Sequence, residues 1–150
     1  SLTRAHMLVH QTKRLSSPAW IATHGDAARL PGGLFARGFD SVLCDVPCSG
    51  DGAMRKLPLA RKRWGCGAAL ALHATQLRIA ARGARATRPG GALVYSTCSM
   101  NPLENEAVVA ALLARCAWLR VVDVDDEKPF FLRHLEQEWL IDGCGIQFKI

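Results

Sequence analysis

The feature that most constrains the fold is a pair of short apolar runs that flank one long helical pattern. The runs cover residues 41–45 and 92–96, and their length and their Val, Leu and Tyr content predict two buried strands. Between them, residues 68–88 carry apolar and basic side chains on different faces of one predicted helix. A strand, a helix and a strand in this order predict two parallel strands joined by a right-handed crossover. The apolar stripe consists of Leu70, Leu77, Ala81 and Ala84, and the basic face of Arg78, Arg82 and Arg85.

Weaker patterns on both sides of this unit predict further elements. They predict a helix over residues 1–15, a strand over 19–23, a helix over 104–115 and a strand over 119–124. Together these elements predict one α/β domain, with a mostly parallel sheet that helices cover on both faces. In such sheets, ligands bind outside the carboxyl ends of the strands.

Reactive side chains follow three of the predicted strands. Asp26 comes after the first, Asp45 and Cys48 come after the second, and Cys98 comes after the third. Because the carboxyl ends of parallel strands meet at one edge of a sheet, we expect both thiols to open into one crevice. Two thiols and a carboxylate suit covalent attack on an electron-poor ring, since a thiolate is a strong nucleophile. A basic cleft would lower the pKa of the attacking thiol further.

Composition excludes several classes of protein. No apolar stretch approaches the 18 residues of a membrane-spanning helix, and residues 1–6 lack the apolar core of a signal peptide. The six cysteines have no disulfide-framework spacing, so we expect free thiols in a soluble, intracellular protein. No second pair of ligands follows Cys44 and Cys48, as a zinc site would need, and we expect no metal.

The net charge of +6 is unevenly distributed along the chain. Five basic residues and no acidic residue lie between positions 55 and 63, and such a cluster favours a phosphate-bearing partner through counterion release. A solvated basic loop is the alternative. The position of the cluster directly after Cys48 favours a nucleic acid, whose backbone it would hold. The basic residues are Arg55, Lys56, Arg61, Lys62 and Arg63.

Several motifs, taken in order, match one known family. They are the segments 45–52, 54–56, 72–73, 76–79 and 94–106, which include one Pro-Cys and one Thr-Cys motif. With these motifs the chain resembles the Nop/Sun-domain family of RNA cytosine-5 methyltransferases, from about residue 1 to residue 124. Residues 10–15 and the Arg55-Lys56 pair look most like the eukaryotic tRNA methyltransferase branch.

The resemblance implies a fold, a cofactor and a role for each site residue. It implies a Rossmann-like class I methyltransferase fold that binds S-adenosylmethionine and methylates carbon 5 of cytosine in RNA. It implies that Cys98 is the nucleophile and that Cys48 helps the methylated RNA to leave. Asp45 would contact both the target cytosine and the cofactor, and Asp26 would contact the adenosyl group of the cofactor. The branch implies tRNA as the partner and a nuclear or nucleolar location.

The chain departs from the family pattern at both ends. The family's first strand, its glycine-rich cofactor loop and its second strand have no counterpart, so residues 1–124 resemble the carboxyl-terminal two-thirds of a catalytic domain. We therefore expect these 150 residues alone to bind S-adenosylmethionine weakly or not at all. Residues 125–150 form a divergent tail, in which Trp139 and Phe148 would pack a last hairpin or part of which would be disordered.

Alternatives remain for the residues and for the function. Asp26 and Asp45 could cap the turns that follow them, and His73 suits helix packing better than catalysis. A non-catalytic RNA-binding remnant is the second functional hypothesis, and a DNA cytosine methyltransferase is the third. The third would use the Pro-Cys cysteine as its nucleophile, and the Thr-Cys motif argues against it. We expect the remaining cysteines to be small buried side chains: Cys44, Cys66, Cys116 and Cys144.

Overall fold

A computed structural model describes residues 1–14, 16–54, 64–122 and 148–149 of the chain. The basic cluster at 55–63 and the tail from 123 to 147, with Trp139, lie outside the described residues. The helices are α1 (Leu2–Lys13), α2 (Cys66–Ala86) and α3 (Glu106–Arg115), and the strands are β1 (Phe39–Asp45), β2 (Thr87–Ser96) and β3 (Phe148–Lys149). Short 3₁₀ helices cover Ala27–Arg29, Gly32–Phe35 and Asp51–Ala53.

The sheet confirms the predicted strand, helix and strand unit. β1 and β2 pair in parallel, with Cys44 opposite Tyr95 and Asp45 opposite Ser96. α2 makes the connection between them, and β3 adds to the other side of β2 as an antiparallel strand. The parallel pairing brings the carboxyl ends of β1 and β2 to the same edge of the sheet. The segments that follow the two strands therefore start side by side.

The hydrophobic core lies between the sheet and the helices α2 and α3. Leu93 and Tyr95 from β2 pack with Leu77 and Ala84 from α2 and with Leu112 from α3. Small residues on α2 permit a close approach to the sheet. A Cβ added at Gly83 would lie in the position of the Cys44 side chain and would displace it. On the opposite face of β1, Leu43 is 56% exposed. Within the described residues, helices therefore cover one face of the sheet, whereas the sequence predicted helices on both faces.

The junction between α2 and β2 differs from the prediction. The helix ends at Ala86 instead of residue 88, and β2 begins directly at Thr87, so Pro89-Gly90-Gly91 lies inside the strand. The residue before a proline avoids the helical region, and Thr is a strand-forming residue. Thr87 consequently pairs with Phe39, and the register shifts between Phe39 and Ser41.

Other predicted elements also need correction. Residues 19–23 are not a strand, and Ile21 is 90% exposed, because no described strand pairs with this segment. Residues 119–121 are irregular and Val122 makes a single bridge, so the described part of 119–124 is not a strand. The last helix begins at Glu106, two residues after the predicted start, because the side chains of the two preceding residues bind the loops before it.

Two helix faces differ from the expectation as well. Leu70 is exposed on α2, and the buried stripe runs through Ala69, Gln76, Leu77, Ala80 and Ala84. α1 forms as predicted, yet none of its residues is buried. Among the described helices, none has the length and apolar character needed to cross a membrane.

Candidate active site

Two thiols meet at the carboxyl edge of the sheet. The Sγ atoms of Cys48, after β1, and Cys98, after β2, lie 3.0 Å apart and are hydrogen-bonded. The Cys48 side chain is half-buried and Cys98 is exposed, so the pair can be reached from solvent. The two thiols therefore lie side by side, as the positions of the strands predicted.

Direct contacts join the loops that carry the two cysteines. The main-chain N–H of Gly52 donates to the Cys98 carbonyl oxygen at 3.2 Å, and the N–H of Met100 donates to Oδ1 of Asp51 at 3.0 Å. A Cβ at Gly52 would lie 2.8 Å from the Cys98 carbonyl oxygen, closer than such atoms approach. The Pro-Cys loop therefore needs glycine at position 52 to lie against the Thr-Cys loop.

Glu104 accepts hydrogen bonds from both loops. Its Oε1 accepts from the hydroxyls of Ser49 at 2.5 Å and Ser99 at 3.0 Å. Its Oε2 accepts from the N–H of Ser49 at 2.8 Å and from Nε2 of Gln76 at 2.9 Å. The Glu104 side chain is fully buried. Burial alone would raise its pKa, but these four hydrogen bonds outweigh burial and lower the pKa below the ordinary 4.5.

Asn105 holds the Thr-Cys loop in a compact turn. The Thr97 hydroxyl donates to Oδ1 of Asn105 at 2.7 Å, and Nδ2 of Asn105 donates to the Ser99 carbonyl oxygen at 2.9 Å. The Tyr95 hydroxyl donates to the main-chain oxygen of Glu104 at 2.7 Å. Cys98 is thus exposed at the tip of a loop whose flanking residues are buried and hydrogen-bonded.

The pKa of Cys98 is raised to about 11. Partial burial is the largest cause, followed by the hydrogen bond to Cys48 and the negative charges that Cys48 and Asp45 can carry. The sequence predicted a lowered pKa in a basic cleft, and for the described residues this is wrong. Every charged side chain that shifts the pKa of Cys98 in this part of the chain is acidic, whereas the basic cluster lies outside it.

The two predicted carboxylates have different surroundings. Asp45 is exposed at the end of β1, and its carboxylate accepts no hydrogen bond from the part of the chain that the structure describes. Asp26 caps the short helix Ala27–Arg29, since its Oδ1 accepts from the Ala28 N–H at 2.9 Å and its Oδ2 lies 3.6 Å from Nε of Arg29. The capping alternative for Asp26 is therefore seen, and the cofactor contact stays a prediction.

Sequence reasoning missed the residues that organise the site. Glu104, Ser49, Ser99 and Gln76 lie within the motifs that carried the resemblance, but none received a role. The sequence signal that could have identified these residues is the serine that follows each cysteine, together with Glu104 at the start of the predicted helix over residues 104–115. The structure directs the carboxylate of Glu104 into both loops.

Three further side chains that the sequence singled out fit structural roles. Cys44 and Cys116 are buried, as predicted, and burial raises the pKa of Cys44 to about 11. His73 lies in α2, and its Nδ1 is 2.7 Å from the Leu103 carbonyl oxygen, which ties the helix to the segment before α3. Over residues 1–14, 16–54, 64–122 and 148–149, no group of three metal-ligating side chains occurs.

Comparison with known proteins gives consistent matches. A family model described as 16S rRNA methyltransferase RsmB/F matches residues 1–140. A multisite-specific tRNA:(cytosine-C(5))-methyltransferase from Saccharomyces cerevisiae is 48% identical over an alignment of 142 residues, and the match covers 87% of this chain and 20% of that protein. A tRNA (cytosine(34)-C(5))-methyltransferase from Drosophila melanogaster is 48% identical over an alignment of 118 residues, and the match covers 73% of this chain and 16% of that protein.

A solved structure shares the fold. The crystal structure of NSun6 from Pyrococcus horikoshii with SFG, an analogue of S-adenosylmethionine, has a TM-score of 0.66 at 25% identity. The match covers 77% of this chain and 29% of that chain. The chain spans about a fifth of the length of the curated relatives it matches.

Proposed function

The chain belongs to the RsmB/F, or Nop/Sun, family of RNA cytosine-5 methyltransferases, and we propose that its paired cysteines serve methylation of carbon 5 of cytosine in RNA. The observation that carries the proposal is the 3.0 Å separation of Cys48 Sγ and Cys98 Sγ at the carboxyl edge of the sheet. A base held at this edge would have both thiols beside its ring. We place tRNA first among the substrates, since tRNA enzymes are among the relatives with the highest identity.

Cys98 is the proposed nucleophile. Carbon 5 of cytosine is too weak a nucleophile until a sulfur adds at carbon 6. In the proposed step the Cys98 thiolate forms a bond from Sγ to carbon 6, and the electron pair of the 5,6 double bond moves to carbon 5. The exposure of Cys98 at a loop tip supports this role, because an unstacked base must reach the sulfur.

Cys48 is the proposed release residue. After methylation, the proton on carbon 5 must leave so that the double bond re-forms and the bond from carbon 6 to Cys98 Sγ breaks. Cys48 Sγ contacts Cys98 Sγ and so lies close to any base that Cys98 attacks. We propose that Cys48 removes this proton, either directly or through a water molecule.

Asp45 is proposed to hold the base. Its carboxylate is exposed, is free of hydrogen bonds within the described residues, and lies close enough to Cys98 to raise the pKa of that thiol. It could accept a hydrogen bond from the exocyclic amine or from the protonated ring nitrogen, which would stabilise the adduct. The basic residues at 55–63 are proposed to hold flanking phosphates, without reading sequence.

S-adenosylmethionine is the cofactor of the family. When bound, it supplies the methyl group as an electrophilic sulfonium methyl. The exposed carboxylates of Asp26 and Asp45 have the right chemistry for its hydroxyl and amino groups, since a carboxylate only accepts hydrogen bonds. We propose both as cofactor contacts, with Asp26 keeping its capping bond to Ala28.

The proposal is tested with nucleic acids that contain 5-azacytidine, an analogue that traps the cysteine adduct. The test protein joins this chain to the family's upstream cofactor-loop segment, because the 150 residues alone are expected to bind S-adenosylmethionine weakly or not at all. It is incubated with S-adenosylmethionine and either an azacytidine-containing tRNA or a matched azadeoxycytidine-containing DNA. We expect an adduct stable to denaturing electrophoresis with tRNA and little with DNA. An adduct with DNA alone would favour a DNA methyltransferase, and retention of tRNA without any adduct would favour an RNA-binding remnant.

A further inference from the structure

Each reactive cysteine is followed by a serine, and both serines bind the same carboxylate. Ser49 follows Cys48 and Ser99 follows Cys98, and their hydroxyls converge on Oε1 of Glu104. We infer that Glu104 is a positioning residue that sets the separation and orientation of the two thiols. The catalytic meaning of this inference rests on the proposed function, whereas the geometric part does not.

The contacts hold the Pro-Cys loop on both sides of Cys48. On one side, Ser49 donates to Glu104 through both its N–H and its hydroxyl. On the other side, Nε2 of Gln76 donates to the Pro47 carbonyl oxygen at 2.9 Å and also to Oε2 of Glu104 at 2.9 Å. Cys48 is therefore enclosed by two anchored residues, so its backbone cannot shift without breaking one of these bonds.

The Thr-Cys loop is anchored through the same group. The Ser99 hydroxyl donates to Glu104, and the Ser99 N–H donates to the Thr97 hydroxyl at 3.1 Å. Because a carboxylate is planar and its two oxygens are fixed relative to each other, the donors from the two loops are fixed relative to each other as well. Through Glu104, the position of one cysteine loop therefore depends on the position of the other.

The burial of Glu104 argues against a role in packing alone. A buried carboxylate costs more than an apolar side chain of similar size, unless donors satisfy it. All four donors to Glu104 come from the two serines or from Gln76, which itself binds the Pro-Cys loop. These hydrogen bonds to Glu104 therefore all serve to hold the two cysteine loops.

The test measures how readily the two thiols form a disulfide with each other. Diamide is the oxidant: it takes up the two thiol hydrogens as Cys48 and Cys98 become joined, and tandem mass spectrometry of peptides identifies the link. The variants are Glu104→Ala, Glu104→Gln and the double variant Ser49→Ala with Ser99→Ala. Cys48→Ala controls for other links, and Glu106→Gln is the matched exposed carboxylate.

The chemistry of the side chains predicts an order among the variants. In Glu104→Gln the new side-chain amide can donate to the two serine hydroxyls, which then act as acceptors instead of donors. The two loops stay joined, so we expect the rate of disulfide formation to lie within about threefold of the rate in the unchanged protein. Glu104→Ala loses the shared acceptor, and the double serine variant loses its two hydroxyl donors. For both we expect disulfide formation to be about tenfold slower. Glu106→Gln should leave the rate unchanged.

A general loss of stability is distinguished by Leu112→Ala, which removes a core side chain of α3 outside the hydrogen-bonded cluster. It should lower the melting temperature and leave the linkage rate unchanged below the transition. If Glu104→Ala does not fold, the double serine variant decides. Equal rates of disulfide formation in that variant and in the unchanged protein would overturn the inference, whether or not the protein forms an adduct with RNA. A slowed linkage with no RNA adduct in the unchanged protein would instead refute the proposed function alone.

Discussion

Cys48 Sγ and Cys98 Sγ form a 3.0 Å contact between two loops that are 50 residues apart in the chain. The contact couples the ionisation of the two thiols, since the hydrogen bond and the charge of Cys48 both raise the pKa of Cys98. Cys48 therefore reduces the fraction of Cys98 that is ionised, in addition to the larger effect of burial.

Cys48→Ala should lower the pKa of Cys98 below its value of about 11. Burial, the largest cause, remains, so the pKa should fall only part of the way towards the ordinary 9.0. Each pKa unit is worth on the order of tenfold in thiolate at neutral pH. Iodoacetamide labelling of Cys98 at constant pH, followed by mass spectrometry, should be faster in the variant, whereas Cys116→Ala should have no effect. An unchanged labelling rate would refute the coupling.

Gly52→Ala should force the two cysteine loops apart. Its Cβ would lie 2.8 Å from the Cys98 carbonyl oxygen, which is main chain and cannot rotate away. We expect a loss of about 1 to 3 kcal/mol in the free energy of unfolding, together with slower disulfide formation between Cys48 and Cys98. Gly67→Ala is the matched control, because a Cβ there meets no atom within 4 Å. Equal losses in both variants would contradict the packing argument.

Glu104 should make the fold sensitive to acid. Its folded pKa lies below the ordinary 4.5, so its contribution to stability is complete above that pH and is lost as the pH falls through the folded pKa. Urea unfolding between neutral pH and about pH 3 should show this loss. In Glu104→Gln the fall should be shallower, whereas Glu106→Gln should follow the unchanged protein. If the free energy of unfolding falls with pH in the same way in all three proteins, ionised Glu104 does not contribute to it.

Cys48→Ala should accumulate a covalent complex on ordinary tRNA. If Cys48 removes the carbon 5 proton, its loss blocks the elimination that frees Cys98 and leaves the earlier attack intact. The variant is made in the protein that also carries the upstream cofactor-loop segment, and the measurement is the fraction of it retained with labelled tRNA after denaturing electrophoresis, in the presence of S-adenosylmethionine. Cys44→Ala, at a buried neighbouring cysteine, is the control. Absence of the complex in Cys48→Ala would argue against Cys48 as the release residue.

The central part of the fold was predictable from the sequence because its signals are local. Two apolar runs and the helix between them predicted β1, α2, β2 and the meeting of the two cysteines. The segment 19–23 has the composition of a strand, but a strand also needs a partner, which composition cannot reveal. The helix α1 was also predicted, but the sequence did not show that none of its residues would be buried.

The organisation of the site was less predictable because its contacts are distant in sequence. Ser49 and Glu104 are 55 residues apart, and only the folded chain shows that they touch. The pKa of Cys98 could not be predicted either, since it depends on burial and on the position of Cys48. Motifs named the two thiols correctly as neighbours, and geometry was needed to find the carboxylate that joins their loops.

The most direct measurement of the central claim is adduct formation by single cysteine variants with azacytidine-containing tRNA. Cys98→Ala and Cys48→Ala are incubated with this RNA, and the attached residue is identified by mass spectrometry of the adduct peptide. We expect Cys48→Ala to form the adduct through Cys98, and Cys98→Ala to form none. An adduct that persists in Cys98→Ala and disappears in Cys48→Ala would reverse the two roles and contradict the account.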